Sequence, residues 1–369
     1  MSRSAVVAVI GAGNVGCALA THLTLRGHEV RLCTRSEQRL RPIRQAGGLT
    51  ATGAVAGSAP IALVTTSLPQ AVSAADVIAV TVPTPALPHY APALARAITS
   101  DQLLWLNPRH SGGALYLGAE MARVTGRSGR PICQLSTASH GSRMTGPATV
   151  GVFRLSPATL AAFPARDLNE CHQRVDALLP GQFDTAGSVL ELDLANVNAV
   201  MHPAQMICNA SWIEATGGQF RVYQEGSGPA VARVIEAVDR ERLALAAQLG
   251  VPTAPFAEML HRAGYTTAAA ACTGRVHQVL QAGEAIRSVK APPTLDHRYL
   301  HEDVGWGLVP WMSLASRTDV ATPTMTALTE LASVMNGVDY ARTGLTLDKM
   351  GLAGTPPQQI HQRIIDASL

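Results

Sequence analysis

Lysine is almost missing from these 369 residues: Lys290 and Lys349 are the only two, and no polybasic run occurs. With a formal net charge of +3, the chain lacks the electrostatic footprint of a nucleic-acid-binding protein. Aromatic residues make up 4% and charged residues 15%, against 47% hydrophobic. Small aliphatic side chains must therefore fill the interior, and long disordered stretches are excluded. The six cysteines include no CxxC pair. A chain of this length needs no disulfide staples, so reduced thiols and a cytoplasmic location are expected. The twelve histidines include no HExxH motif, and no metal is expected. Between Arg3 and Arg26 there is no Asp, Glu, Lys or Arg, which imitates a signal peptide or membrane anchor. Gly11, Gly13, Asn14, Gly16 and His22 interrupt that stretch, so it reads as soluble rather than membrane-spanning.

The length suggests two domains. Ala5 to Ile10 form an apolar run rich in β-branched residues, suited to a strand buried on both faces. The run leads into Gly11-Ala12-Gly13-Asn14-Val15-Gly16, a helical stretch, and a second strand from Glu29 to Cys33. A GxGxxG between strand and helix is a dinucleotide-binding turn. Gly11 makes it tight, Gly13 lets a pyrophosphate approach the backbone beside Asn14 and Val15, and Gly16 lets helix and strand pack closely. The helix N-terminus offers unpaired N–H groups and partial positive charge to the phosphates.

The end of the second strand separates NAD from NADP. An acidic residue there binds the ribose 2′-hydroxyl and repels a 2′-phosphate. This chain has Thr34-Arg35-Ser36, with no carboxylate before Glu37. Arg35 can pair with a 2′-phosphate while Thr34 and Ser36 donate hydroxyl hydrogen bonds; the alternative is that Arg35 is an ordinary surface arginine. NADPH is the expected cofactor, with NAD as the alternative.

Val77 to Val82 and Leu103 to Leu106 read as further buried strands. Open α/β sheets bind ligands beyond the carboxyl ends of their strands, which places Pro83, Thr84, Asn107 and Pro108 on the nicotinamide side. Ser111 is a candidate helix cap. Residues 131–155 read as β structure, and Pro157 to Leu179 as a helical segment leading to the second domain. The fold class is thus α/β: a Rossmann doubly wound parallel sheet over residues 1–185, then a mainly α-helical domain over 186–369.

In the second half, Ala230 to Leu249 has apolar residues at three- and four-residue spacing, so it is an amphipathic helix whose Arg and Glu residues read as a solvated face rather than a site. In Asn196-Val197-Asn198-Ala199-Val200-Met201-His202-Pro203, Asn198 and His202 share a helical face. Pro203 deprives the Ala199 carbonyl of its helical partner, predicting a kink or a new helix start beside the histidine. A lone histidine of this kind is weak evidence for a site.

Asn196 to Pro203, followed by Cys208-Asn209-Ala210 and Glu214, resembles the helix that carries the catalytic histidine in opine dehydrogenases. Arg298-Tyr299, Glu302-Asp303-Val304 and Gly307-Leu308-Val309-Pro310 are similar to another block of that family. So are Asn107-Pro108 with Ser111-Gly112-Gly113-Ala114-Leu115, and the tail from Arg342 to Leu352. The matches run in order through nearly the whole chain. The resemblance implies reductive joining of an amino acid or amine to a 2-oxo acid. It makes His202 the general acid–base, its residue type titrating near neutrality, with Asp303 fixing the tautomer and Arg298 gripping the oxo-acid carboxylate. Asn198 is a candidate for holding a substrate carbonyl or carboxylate. Taken without the resemblance, Arg298 and Asp303 read as an ordinary surface ion pair.

There are departures from the pattern. Arg109 and His110 stand where relatives have small residues, as candidates for an unusual anionic substrate or for covering the cofactor. Gln134 to Gly146 keeps the family's arginine as Arg143 but lacks an acidic residue that often precedes this stretch. Two other functions stay open: a reductase of a single 2-oxo acid or cyclic imine, and a non-catalytic NADPH-sensing protein. Ketopantoate and glycerol-3-phosphate reductases use a catalytic lysine, and neither lysine here has such a context. A homodimer joined beyond about residue 190 is expected, since the helical half offers more apolar surface.

Overall fold

Short aliphatic runs alternating with helices fold, in the computed structural model of the protein, into a wide and mostly parallel sheet. The structure describes residues 4–99, 101–108 and 111–367. In chain order the strands are β1 (Val6–Ile10), β2 (Glu29–Cys33), β3 (Leu49–Gly53), β4 (Gly57–Ala59), β5 (Leu63–Thr65), β6 (Val77–Val80), β7 (Leu103–Leu106), β8 (Ile132–Leu135), β9 (His140–Gly146), β10 (Thr149–Leu155), β11 (Ala158–Phe163) and β12 (Phe183–Thr185). Eight form one sheet in the order β12-β11-β8-β7-β6-β1-β2-β5, and four form a smaller one, β4-β3-β10-β9. The central strand, β1, pairs in parallel with β2 and β6. Its residues Val7 to Ile10 have no exposed surface, as a parallel strand with both faces covered requires. The carboxyl ends of β1, β6 and β7 therefore lie side by side, which is where a doubly wound sheet binds dinucleotides.

Two local expectations are corrected. Ala158 to Phe163 is not helical but forms β11, antiparallel to β8, and the helix is confined to Leu168–Leu178. The alanine-rich composition favours a helix, but pairing with β8 buries Leu160 and Ala161 completely, and tertiary context overrides propensity. The cap of the Gly113–Thr125 helix is Gly112, at a left-handed φ of +67°, rather than Ser111. Glycine adopts that conformation without a Cβ penalty. Residues 131–155 are β structure, as β8, β9 and β10.

The chain divides into two compact units, the first ending at Asp193 and resuming at Gln362, the second spanning Leu194–His361. The division falls eight residues beyond position 185 because buried Gln134, on β8, donates to Asp193 Oδ1 at 2.8 Å and to the Val189 carbonyl at 3.3 Å. Near the C-terminus, Arg166 donates to the Asp366 carbonyl at 3.2 Å.

The second unit is helical among its described residues, with long helices at Val197–Cys208, Pro229–Gln248 and Pro323–Asn336. Val197–Cys208 is a single helix that runs through Pro203, so no new helix starts there. On the Pro229–Gln248 helix Arg233 and Arg240 are exposed as a solvated face requires, but Arg242 is not part of that face. Asp239 and Arg242 are buried, and the guanidinium binds Asp239 Oδ1, the Leu194 and Ala254 carbonyls and Thr253 Oγ1. With every partner supplied, a buried charge of this kind is a structural clamp. Among the described residues no helix is long and apolar enough to cross a membrane, and no group of three or more His, Cys, Asp and Glu could hold a metal ion.

Candidate active site

The GxGxxG turn is built from three different glycine requirements. Gly11 has φ +118°, and a Cβ on it would meet Thr81 Oγ1 at 2.7 Å. A Cβ on Gly16 would lie 1.8 Å from the Gly11 carbonyl oxygen, so helix and strand could not approach. Around Gly13 a Cβ would meet nothing within 4 Å. Gly13 caps the Asn14–Leu25 helix with no side-chain hydrogen bond and no acidic residue in the first turn. Among the described residues no side chain caps the helix's first N–H groups, and this donor set fits a pyrophosphate. Thr81, at the end of β6, shares its hydroxyl proton between the Ile10 and Gly11 carbonyls, each at 3.0 Å. Asn14 Oδ1 accepts from the Met144 N–H at 2.9 Å, tying β9 to the turn. Val15 is half-buried.

At the end of β2, Thr34 is buried and its N–H donates to the Thr65 carbonyl at 3.3 Å. Arg35 is exposed, its guanidinium carbon 5.2 Å from the centre of the Tyr90 ring. Ser36 Oγ accepts from the Arg39 N–H, capping the Glu37–Gln45 helix. Arg39 reaches back to the Ala12 carbonyl at 3.4 Å. The next carboxylate along the chain, Glu37, is paired with Arg44. Two guanidiniums, of Arg35 and Arg39, thus stand beyond the end of β2.

Beyond β6, Pro83 is exposed. Beyond β7, Asn107 is fully buried, its amide donating to Ser139 Oγ at 2.7 Å and accepting from the Ser139 N–H at 3.0 Å. Ser139 Oγ lies 2.7 Å from His140 Nδ1, and His140 Nε2 lies 3.0 Å from His22 Nδ1. Burial lowers both histidines, His140 to about 3, and the pair stays neutral near physiological pH. Arg143 is exposed on β9, opposite Gly151. Arg109 and His110 lie outside the described residues.

In the second unit His202 projects from the Val197–Cys208 helix, and its Nδ1 is 2.7 Å from Asp303 Oδ2. The two are 3% and 5% exposed. Asp303 stands at the start of a π-helical turn, Val304–Leu308. A Cβ on Gly307 would lie 2.6 Å from the Ala199 Cβ, so glycine lets this turn press against the His202 helix. Desolvation raises the Asp303 carboxyl above its ordinary range, and the hydrogen bond from His202 opposes the rise. A buried imidazole held by a buried carboxylate is the geometry of an oriented acid–base.

Residues 185–336 match the family model "NAD/NADP octopine/nopaline dehydrogenase, alpha-helical domain", and residues 6–104 match "NADP oxidoreductase coenzyme F420-dependent". An opine dehydrogenase of Arthrobacter sp. (strain 1C) is 34% identical over 369 residues, covering 99% of this chain and 100% of that protein. The chain belongs to the opine dehydrogenase family. As a member of it, the protein is an NAD(P)-dependent oxidoreductase acting on CH–NH groups. Its fold matches octopine dehydrogenase solved with NADH and L-arginine, with a TM-score of 0.80, 19% identity and 98% of each chain covered. It also matches yersinopine dehydrogenase with NADP⁺ bound, with a TM-score of 0.73, 16% identity, and 99% and 98% of the two chains covered.

In this opine dehydrogenase Arg298 is exposed, and its Nη2 is 2.8 Å from Glu302 Oε2 one turn along the chain. Asn198 is half-buried one turn before His202, and its side chain makes no hydrogen bond among the described residues. His297 and His301, four residues apart, have separate partners: His297 packs edge-on against Tyr299, while His301 binds Asp296 and Tyr340. Reading the sequence missed Tyr223 and Thr81. Tyr223 Oη is 3.0 Å from His202 Nε2, and its only sequence signal is being one of six tyrosines, in a Gly-bounded segment. Thr81 is a hydroxyl at the end of an aliphatic strand, facing the first glycine of the turn.

Proposed function

We propose that this opine dehydrogenase joins an amino acid or amine to a 2-oxo acid by reducing the imine they form, with His202 as general acid–base and NADPH preferred over NADH. The observation that carries the reading is the buried His202–Asp303 pair at 2.7 Å. An ionised carboxylate only accepts, so Asp303 fixes the Nδ1–H tautomer, orients the ring and gives the protonated imidazole a counter-charge. Dehydration of the condensed intermediate and reduction of the imine both need a proton delivered at a fixed place, which His202 supplies. Arg298 presents an exposed fork beside this pair, with Glu302 holding one end and the remaining donors available to a carboxylate. Asn198, on the His202 face of the helix, takes a substrate carbonyl or carboxylate, and Arg143 is kept as a further substrate residue.

When bound, NADPH supplies the hydride. Gly11, Gly13, Asn14, Val15 and Gly16 would hold its pyrophosphate, with Pro83 and the Asn107 loop at the nicotinamide side. Preference for the 2′-phosphate rests on Arg35 over Tyr90, on Thr34 and Ser36, and on the pairing of Glu37 with Arg44, which leaves no free carboxylate there. A lysine-dependent single-substrate reductase is disfavoured. Lys349 donates to three carbonyls, of Arg342, Thr343 and Gly344, and Lys290 to Gln219 Oε1.

Following NADPH absorbance with 2-oxo acids and amines, singly and in pairs, tests this. The reading expects consumption that needs both partners. Consumption with an oxo acid alone makes the protein a single-substrate reductase; cofactor binding without turnover across the panel makes it a sensor. A homodimer through the Pro323–Asn336 helix, whose Leu331, Val334 and Met335 are exposed, is part of the proposal. A monomer in light scattering at high concentration removes that part. Its free cysteines support a reducing, cytoplasmic setting.

A further inference from the structure

His202 leaves no ring nitrogen for a substrate. Its Nδ1 faces Asp303 at 2.7 Å, its Nε2 faces Tyr223 Oη at 3.0 Å, and Tyr299 stacks on one ring face at 3.6 Å and 10°. The imidazole is only 3% exposed. A general acid must come within hydrogen-bond reach of the atom it protonates, and here the polar atom next to Nε2 is the phenol oxygen. We propose that Tyr223 is the group through which His202 exchanges its proton with the substrate, so that the acid–base element is a His202–Tyr223 relay. This rests on the reading of His202 as the general acid–base.

The phenol is held there by the same helix that carries the histidine. Gln205, one turn after His202, donates to Ser227 Oγ at 2.7 Å, and Ser227 Oγ donates to the Val222 carbonyl at 2.9 Å. Asn209, another turn on, donates to the Gly226 carbonyl at 2.8 Å. Residues 202, 205 and 209 lie on one helical face, so the segment from Val222 to Ser227 is pinned along it and Tyr223 is fixed against the imidazole. The braces are fully or partly buried, and no other role for them is visible in the described residues.

Proton positions follow from the donor inventory. Ionised Asp303 accepts, so Nδ1 carries a proton; in the neutral imidazole Nε2 is then an acceptor and Tyr223 donates to it. When His202 is protonated, Nε2–H donates to Tyr223 Oη and the phenol proton turns away from the imidazole. In the forward reaction the Nε2–H bond breaks as a new O–H bond forms on Tyr223. The phenol's original proton leaves for the substrate, as the departing hydroxyl becomes water or the nitrogen accepts it. Tyr223 stays neutral throughout, one proton in and one out, and oxidation runs the same steps backwards. Burial, with Tyr299 and Asp303 nearby, keeps the phenol well above its ordinary range, so it passes protons on and does not store a charge. The Tyr299 hydroxyl lies 3.5 Å from that of Tyr223, and His297 packs on the far side of Tyr299.

The test is Tyr223→Phe, which removes one oxygen and keeps the ring. With pyruvate and the most active amine of the panel, turnover is expected to fall about 10- to 100-fold, below the full range for losing an acid–base. NADPH affinity should not change. Turnover in H₂O/D₂O mixtures should give a curved plot for the wild type, from two protons moving together, and a straight one for Y223F. With ¹⁵N-histidine labelling, and His202 assigned by its loss in His202→Asn, the Nε2 resonance should move in Y223F toward that of an unbonded acceptor. Full turnover in Y223F with His202→Asn inactive overturns the relay alone. Activity in His202→Asn overturns the acid–base reading as well. If Y223F does not fold, the wild-type isotope plot decides, and a straight line, meaning one proton, overturns the relay.

Discussion

Each unit buries a histidine against another titratable side chain, and the two pairs have opposite chemistry. His140 faces Ser139 and His22, and burial next to a second base lowers it to about 3. His202 is buried to a similar degree, but its neighbour is Asp303. Desolvation disfavours a charged imidazole at His140, where the neighbours are a hydroxyl and a second base. Burial alone therefore makes a neutral structural hydrogen-bonding link. In the second unit the buried imidazole has a carboxylate acceptor instead, and in the proposed reading that pair is the one that handles the proton of the reaction.

That contrast can be broken most decisively by exchanging the roles. His202→Ala should lose about 10²–10⁴-fold in turnover, at temperatures where it stays folded, with NADPH affinity nearly intact; its melting temperature should fall too, because buried Asp303 loses its partner. His140→Ala should lower the melting temperature while turnover at neutral pH persists. Loss of turnover in His140→Ala at temperatures where it stays folded would place it in the chemistry. A third buried pair, Asp239–Arg242, sharpens the point, because its partners are all structural. Arg242→Ala should cost about 3–5 kcal/mol in denaturant unfolding by stranding a buried carboxylate. Arg35→Ala should weaken NADPH by about 1.5–3 kcal/mol in calorimetry and leave NADH almost unchanged. Equal losses for both cofactors would make Arg35 a surface residue.

The remaining effect is in acid. His140 has a folded value of about 3, below the ordinary 6.5 expected for the unfolded chain. Between those values the unfolded state binds the extra proton, so stability falls as pH falls. The contribution is complete above about pH 6.5 and is lost toward pH 3, with a slope of at most about 1.4 kcal/mol per pH unit. His22 is lowered too and adds in the same direction. Unfolding of His140→Gln at several pH values should show a flatter slope in this window; the wild-type slope in the variant would contradict the assignment.

The cofactor unit was the more legible of the two, because its constraints are local. Three glycines within six residues state their own reasons, and aliphatic runs buried on both faces announce parallel strands. The errors came where local chemistry and tertiary setting disagree. Ala158 to Phe163 has helical composition but is captured by β8. Asp239 and Arg242, three apart on an amphipathic helix, look like a surface pair until the Leu194 carbonyl and the segment from Thr253 to Phe256 close over them. The dyad is harder still. His202 and Asp303 are 101 residues apart, and family resemblance, not residue chemistry, joined them. Gly307 is what lets them meet, by packing against Ala199, and nothing local marks it as more than part of a motif. Tyr223 escaped notice because its place depends on braces from Gln205 and Asn209 that only the folded helix aligns.

The central claim is that His202 and Asp303 act as one unit, and a double-mutant cycle on turnover tests it most directly. Asp303→Asn alone should lose somewhat less than His202→Ala, since it disturbs tautomer and counter-charge but leaves the imidazole. Once His202 is gone, Asp303 has nothing to orient, and groups acting together are not additive. The account predicts that His202→Ala with Asp303→Asn is little slower than His202→Ala alone. If instead the two losses multiply, the residues act independently and the dyad is contradicted, even if each proves necessary.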